Sequence, residues 1–130
     1  MNRIFKNVCV TGAGSGIGRA IAIAMSNEGY NVTCADINLK QANETLEIII
    51  NSNGSGISIE TDVTKINDIE NMILKTVKQF GTIDILVNNA GVTRTSNIMD
   101  LTEKDWDWIH NINAKGTFFC LQIAADQMIK

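Results

Sequence analysis

The chain has 130 residues, 45% of them hydrophobic and 19% charged, with ten glycines, no proline and a formal net charge of −3. That length and balance suit one compact globular domain, and the mild negative charge without any Lys/Arg run argues against a nucleic-acid or acidic-membrane surface. No apolar stretch reaches membrane-spanning length, and Met1-Asn2-Arg3-Ile4-Phe5-Lys6 lacks the apolar core of a signal peptide and runs directly into the first strand, so a cytoplasmic location is expected.

The first apolar run, Val8-Cys9-Val10, is followed at once by Thr11-Gly12-Ala13-Gly14-Ser15-Gly16-Ile17-Gly18 and then by an amphipathic segment. Strand, glycine turn and helix in that order make a phosphate cradle. Glycine lets the backbone approach a pyrophosphate, and the first helical turn offers unpaired N–H groups and the positive end of its dipole. A strict G-x-G-x-x-G from Gly12 would need glycine where this chain has Ile17, so the spacing is T-G-x-x-x-G-x-G instead. Helix 1 is expected over about Gly16 to Asn27, with Ile17, Ala20, Ile21, Ala24 and Met25 inward and Gly29 as its stop.

Val32-Thr33-Cys34-Ala35 reads as a second buried strand ending in Asp36. This acid stands roughly 20 residues past the glycine turn, where a dinucleotide site places a carboxylate on the adenosine ribose hydroxyls. It would repel a 2′-phosphate, and neither Ser15, Ile37 nor Asn38 supplies a compensating positive charge, so NAD is expected over NADP. The competing use of Asp36 is as a helix or turn cap. Helix 2, about Leu39 to Asn51, turns Leu39, Ala42, Leu46, Ile49 and Ile50 inward and ends at Asn53-Gly54.

Gly56 to Glu60 forms a third strand, leading to Asp62-Val63. A third helix is capped near Thr64, carries Ile66, Ile69, Met72, Ile73, Val77 and Phe80, and stops at Gly81. A fourth strand, Ile83-Asp84-Ile85-Leu86-Val87, runs into Asn88-Asn89-Ala90-Gly91, where two amides at the strand's carboxyl end can brace the neighbouring backbone. Thr102-Glu103-Lys104-Asp105 is a cap with acids in the first turn, and helix continues from there to the end. Gly116 within that helix points to close packing or a kink.

Strand and helix alternate throughout, so the expected class is α/β with a parallel sheet covered by helices. The T-G-x-x-x-G-x-G turn, the Asn88-Asn89-Ala90-Gly91 tetrad and Asn111-Ile112-Asn113-Ala114-Lys115-Gly116, an N-x-N-x-x-G stretch, together resemble the short-chain dehydrogenase/reductase family over essentially the whole chain. The resemblance implies a Rossmann-like doubly wound sheet, four strands in the order 3-2-1-4, with residues 1–130 forming an NAD-binding domain. Cofactor contacts are then expected at Thr11, Gly12, Ser15, Gly16, Ile17, Gly18, Asp36, Ile37, Asp62, Val63, Asn88, Asn89, Ala90 and Gly91, with Asp62 and Val63 near the adenine. Asn113 matches the family's catalytic asparagine, which helps hold a water for proton relay; the competing reading is an ordinary amide bonded to backbone.

The family's catalytic Ser and Tyr-x-x-x-Lys are not in these 130 residues: the one tyrosine, Tyr30, is followed four residues later by Cys34. The sequence therefore reads as a fold truncated before its catalytic segment, the cofactor half of an oxidoreductase acting on a small alcohol or carbonyl. The alternatives are a non-catalytic nucleotide-binding module or a degenerate product serving as an interaction surface. In the 3-2-1-4 order the fourth strand is an apolar edge, and Phe118, Phe119, Leu121 and Ile123 nearly encircle the last helix. A homo-oligomer through either surface is expected, with no nucleic acid and no membrane as partners. Cys9, Cys34 and Cys120 lack metal or redox spacing and are expected to be reduced and buried, and the one histidine, His110, is not expected to act as ligand or base.

Overall fold

A computed structural model of the chain describes residues 6–130. Most of the N-terminal segment read above, residues 1–5, lies outside the described residues. The remainder runs β1 (Asn7–Thr11), α1 (Gly16–Asn27), β2 (Asn31–Asp36), α2 (Leu39–Asn51), β3 (Ser55–Glu60), α3 (Ile66–Phe80), β4 (Ile85–Val87), a 3₁₀ turn (Ile98–Asp100), α4 (Glu103–His110), a π-helical turn (Asn111–Gly116) and α5 (Thr117–Met128). All strand pairs are parallel and the order is β3-β2-β1-β4, the predicted doubly wound arrangement.

The strand period of two sorts the core into two layers. Val8, Val10, Val32 and Cys34 point to one side, against Ala22 of α1 and Ala42 and Ile49 of α2. Cys9 and Ala35 point to the other, against Ile69, Met72 and Ile73 of α3 and Cys120 and Ala124 of α5. Every residue of β1 is buried, as a strand covered on both faces and both edges must be. On the α3 side the Thr76 hydroxyl lies 2.9 Å from that of Thr33 and donates to the Met72 carbonyl at 2.8 Å, so two fully buried hydroxyls satisfy one another.

The helix boundaries fall where the pattern put them, but the buried faces are rotated. In α1 the buried residues are Gly18, Ala22 and Ser26, while Ile17, Ala20 and Ala24 are exposed. Each sits at a close approach: Gly18 under Gly12, Ala22 in the core with Val8, Val10 and Val32, and Ser26 beside Gly54, so smallness outweighs the hydropathy of the other face. In α2 the buried set is Ala42, Thr45 and Ile49; Leu39 and Ile50 are exposed. Thr45 is drawn in because its hydroxyl donates to Ala13 O at 2.8 Å and accepts from Arg19 Nε at 2.9 Å.

Two expected starts move. Lys65, not Thr64, is the N-cap of α3, because Thr64 folds back to give its N–H and hydroxyl to Asp62 Oδ1 at 3.0 and 2.7 Å. The fourth strand begins at Ile85, not Ile83. Asp84 fastens the approach to this strand with both backbone and side chain: its N–H donates to Asn7 O at 3.0 Å, and its Oδ2 accepts the N–H groups of Lys6 and Asn7 at 3.0 and 3.1 Å. Among the described residues β4 pairs only with β1, and its three residues are half-buried, so it is the open edge that the strand order required.

Thr102 caps α4 in a reciprocal box with Asp105, as its sequence indicates. The helix then passes through the π turn into α5, and a Cβ on Gly116 would stand 2.9 Å from Val63 Cγ2 and 3.0 Å from Val63 O. Close packing and a local helix irregularity therefore coincide at Gly116. On α5, Phe119 and Ile123 join the core while Phe118 and Leu121 remain exposed.

Candidate functional site

The carboxyl ends of β1, β2, β3 and β4 open onto one groove of about 430 Å³. It lies where the chain leaves β1 in one direction and β4 in the other, the switch point of a doubly wound sheet. Gly12, Ser15, Gly16 and Ile17 form its centre, Asp36, Ile37, Asp62 and Val63 one side, and Asn89, Ala90 and Gly91 the other. Eleven of the cofactor-contact residues expected from the sequence thus line one cavity.

The floor is built by omission of side chains. Gly12 has φ +66°, and a Cβ on Gly18 would drive into the Gly12 carbonyl and the Asn89 amide. With both side chains absent, α1 starts directly beneath the turn. Ser15 is its N-cap but makes no side-chain cap bond, and the first turn contains no acid. The opening N–H groups of α1 are therefore left for an external anion.

Thr11 and Gly18 do not line the cavity; they build it. Thr11 Oγ1 accepts the N–H of Asn89 at 3.1 Å and of Ala90 at 3.0 Å. Asn89 Nδ2 returns to Thr11 O at 3.1 Å and Gly12 O at 3.3 Å, the bracing of one strand end by the next that the paired amides suggested. Asn88 is exposed and reaches Thr117 O at 3.4 Å, tying this loop to α5 instead of facing the groove.

Asp36 takes the capping use considered for it and stands on the groove wall. Its Oδ2 accepts Gly14 N–H at 2.8 Å and its Oδ1 accepts Asn38 N–H at 2.9 Å, so it caps two turns while remaining on the groove wall. Asp62 lies on the same side of the groove, past the end of β3. Burial alone would raise its pKa, but hydrogen bonds from Thr64 and the nearby Lys65 ammonium outweigh that and hold it below the usual carboxylate value. Among the described residues no lysine or arginine lines the groove. Arg19, on α1, is occupied by Thr45, the Gln41 carbonyl and Glu44.

Asn113 also lies outside the cavity wall. Its Oδ1 accepts Val92 N–H at 2.8 Å and its Nδ2 donates to Val92 O at 2.7 Å, a two-point clamp on the segment that continues the groove beyond Gly91. Thr61, Val92 and Ile112 line the cavity without having been expected there. Thr61 and Val92 are chain neighbours of Asp62 and Gly91, and that adjacency at strand ends was the available signal. Ile112 is carried inward by the π turn, which its sequence does not announce.

All three cysteines are free and buried. Burial pushes the Cys9 and Cys34 thiols up to about 12 and that of Cys120 to about 11. His110 bonds through Nδ1 to Trp106 O at 2.9 Å and stacks on that indole with ring centroids 3.9 Å apart. Among the described residues no cluster of three His, Cys, Asp or Glu could hold a metal, and no helix is long and apolar enough to cross a membrane.

Residues 6–130 match the family model for short chain dehydrogenases. The chain is 39% identical over 129 residues to the 3-oxoacyl-[acyl-carrier-protein] reductase FabG of Staphylococcus aureus, covering 98% of this chain and 52% of that protein. It is 42% identical over 130 residues to an uncharacterized oxidoreductase of Thermotoga maritima, covering all of this chain and 51% of that one. Among solved structures, a short-chain type dehydrogenase/reductase from Mycobacterium marinum superposes with a TM-score of 0.92 at 29% identity, over 95% of this chain and 50% of its own. The chain thus spans about half the length of the relatives it matches.

Proposed function

Because the chain belongs to the short-chain dehydrogenase family, we propose that its groove holds NAD and that these 130 residues are the cofactor-binding, Rossmann-type domain of an oxidoreductase. The substrate class is an alcohol or carbonyl compound, and the bound nicotinamide supplies the hydride donor or acceptor. The observation that carries the choice of NAD is Asp36: a carboxylate fixed by two backbone N–H groups on the wall of a groove that has no cationic side chain among the described residues.

The remaining roles follow from position. The pyrophosphate lies on the opening N–H groups of α1, over Gly12, Ser15, Gly16 and Ile17, where no first-turn acid opposes it. Asp36 takes the adenosine ribose hydroxyls, with Ile37, Asp62 and Val63 around the adenine. The other half of the dinucleotide then extends past Asn89, Ala90 and Gly91. Thr11, Gly18 and Asn88 support these contacts from behind. Asn113 orders the Val92 end of the groove and a water there. The proton that accompanies hydride transfer needs an acid outside this groove, since Tyr30 packs against the α1/α2 core.

That same position of Tyr30 favours a second reading, nucleotide binding without catalysis by these residues. We place the protein in the cytoplasm, as a homo-oligomer joined through the β4 edge or the Phe118 and Leu121 face of α5. The test is titration of the purified protein with NADH and NADPH, followed by nicotinamide fluorescence and by turnover with simple alcohols and carbonyls. Saturable binding with NADH clearly tighter than NADPH is expected. NADPH binding tighter than NADH overturns the reading of Asp36, and binding of neither overturns the dinucleotide groove. Turnover distinguishes the enzyme from the binding module.

A further inference from the structure

Beyond Ala90, whose N–H is held by Thr11, the segment leading to α4 carries the end of one groove wall yet has little to hold it. Residues 93–101 are all exposed, and the stretch leading to the 3₁₀ turn makes no strand or helix. Two side-chain attachments fasten its beginning to the helices. One is the Asn113 clamp on Val92; the other is Arg94, whose Nη1 donates to Asp105 Oδ1 at 2.6 Å.

Asp105 is built to receive it. The residue is buried, and its two oxygens have separate tasks: Oδ2 accepts the Thr102 N–H at 3.0 Å and hydroxyl at 2.7 Å, closing the α4 cap, while Oδ1 points to Arg94. A carboxylate already fixed by the cap loses little freedom in binding the guanidinium, so this bond is better ordered than an ordinary surface ion pair. Arg94 is two residues from Val92, which lines the groove, and three from Gly91, against which Asn113 packs. Fixing Arg94 to α4 and Val92 to the π turn sets the course of the backbone between them.

We propose that Arg94 is a positioning residue for the nicotinamide half of the groove, holding the Gly91–Val92 wall in place through Asp105 without touching the cofactor. The inference rests on the dinucleotide reading above, in which the adenosine half lies at Asp36 and the other half beyond Gly91. It therefore separates two ligands. ADP-ribose, which lacks the nicotinamide, depends on the Asp36 side and the start of α1; NADH depends on the Val92 wall as well.

The experiment measures NADH and ADP-ribose affinity in the wild-type protein, Arg94→Met and Arg94→Lys. Arg94→Met keeps the apolar stem and removes only the fork, and ADP-ribose binding reports that the fold persists. The expected result is NADH binding weakened about fivefold by Arg94→Met, the scale of one partly exposed charge-assisted bond. ADP-ribose affinity is expected to stay within about twofold, with partial recovery of NADH binding in Arg94→Lys, whose ammonium can still reach Asp105. Unchanged NADH affinity in Arg94→Met overturns the proposal, and so does an equal loss for both ligands, which would make Arg94 a general stability contact. A wild-type protein that binds neither ligand overturns the dinucleotide reading and this inference with it.

Discussion

Gly18→Ala probes the construction of the groove through a single methyl. A Cβ at this position meets the Gly12 carbonyl and the Asn89 amide at distances that force one of them to move, and the first is backbone. Overpacking against fixed backbone costs about 1–3 kcal/mol. If Asn89 is displaced, its bonds to Thr11 O and Gly12 O are lost, at about 1 kcal/mol each. Alanine returns about 1 kcal/mol in helix propensity. The balance is a destabilisation of about 2–4 kcal/mol, or roughly 8–16 °C in melting temperature for a domain of this size. Urea unfolding of wild type, Gly18→Ala, Asn89→Ala and the double variant measures it. Because both substitutions act on the same contact, the double variant should cost less than the sum by about 1 kcal/mol. A neutral Gly18→Ala, or strict additivity in the cycle, refutes the claim that Gly18 is small in order to seat α1 beneath the turn.

Acid unfolding and thiol chemistry give two further checks. Asp62 and Asp105 both titrate below the ordinary carboxylate value of 3.8, so each contributes stability above that pH and loses it as pH falls through its lowered native value. Asp62→Asn should therefore lower stability at neutral pH and flatten the stability profile below about pH 4; an unchanged acid limb would show that Asp62 gains nothing on folding. The three cysteines, buried and with thiols pushed up to about 11 or 12, should react with a thiol reagent at pH 8 only after denaturant is added. Rapid labelling of any of them in the native protein would contradict their burial.

Where backbone conformation and strand period decide the structure, the sequence was legible. The spans of α1 and α2, the stop at Gly29 and the Thr102 cap were readable because each depends on residues close in the chain, whereas the strand order, which sets Val8 beside Ile85, came from the family resemblance. The helix faces were less so. Hydropathy pointed Ile17, Ala20 and Ala24 inward, but close approaches to Gly12, the sheet core and Gly54 select Gly18, Ala22 and Ser26, and hydropathy gives no weight to smallness. Asp84 fastens the approach to β4 through bonds to Lys6 and Asn7, partners more than 70 positions away in the chain. The groove's adenosine side was readable from local motifs; its Val92 and Ile112 side depends on the π turn and on clamps between distant segments, Asn113 to Val92 and Arg94 to Asp105.

The central claim is that Asp36 reads the adenosine ribose and so selects NAD. The most direct measurement is the ratio of NADH to NADPH affinity in the wild-type protein and in Asp36→Ala. Loss of the bonds from Asp36 to Gly14 and Asn38 weakens the cradle for both dinucleotides alike, so the ratio isolates the carboxylate's effect on the 2′ position. A wild-type preference for NADH of at least about tenfold, collapsing to within about threefold in the variant, is the predicted result, since removing one charge repulsion and one charged hydrogen bond is worth that order. A ratio that does not change on removing Asp36, or a wild-type preference for NADPH, contradicts the account.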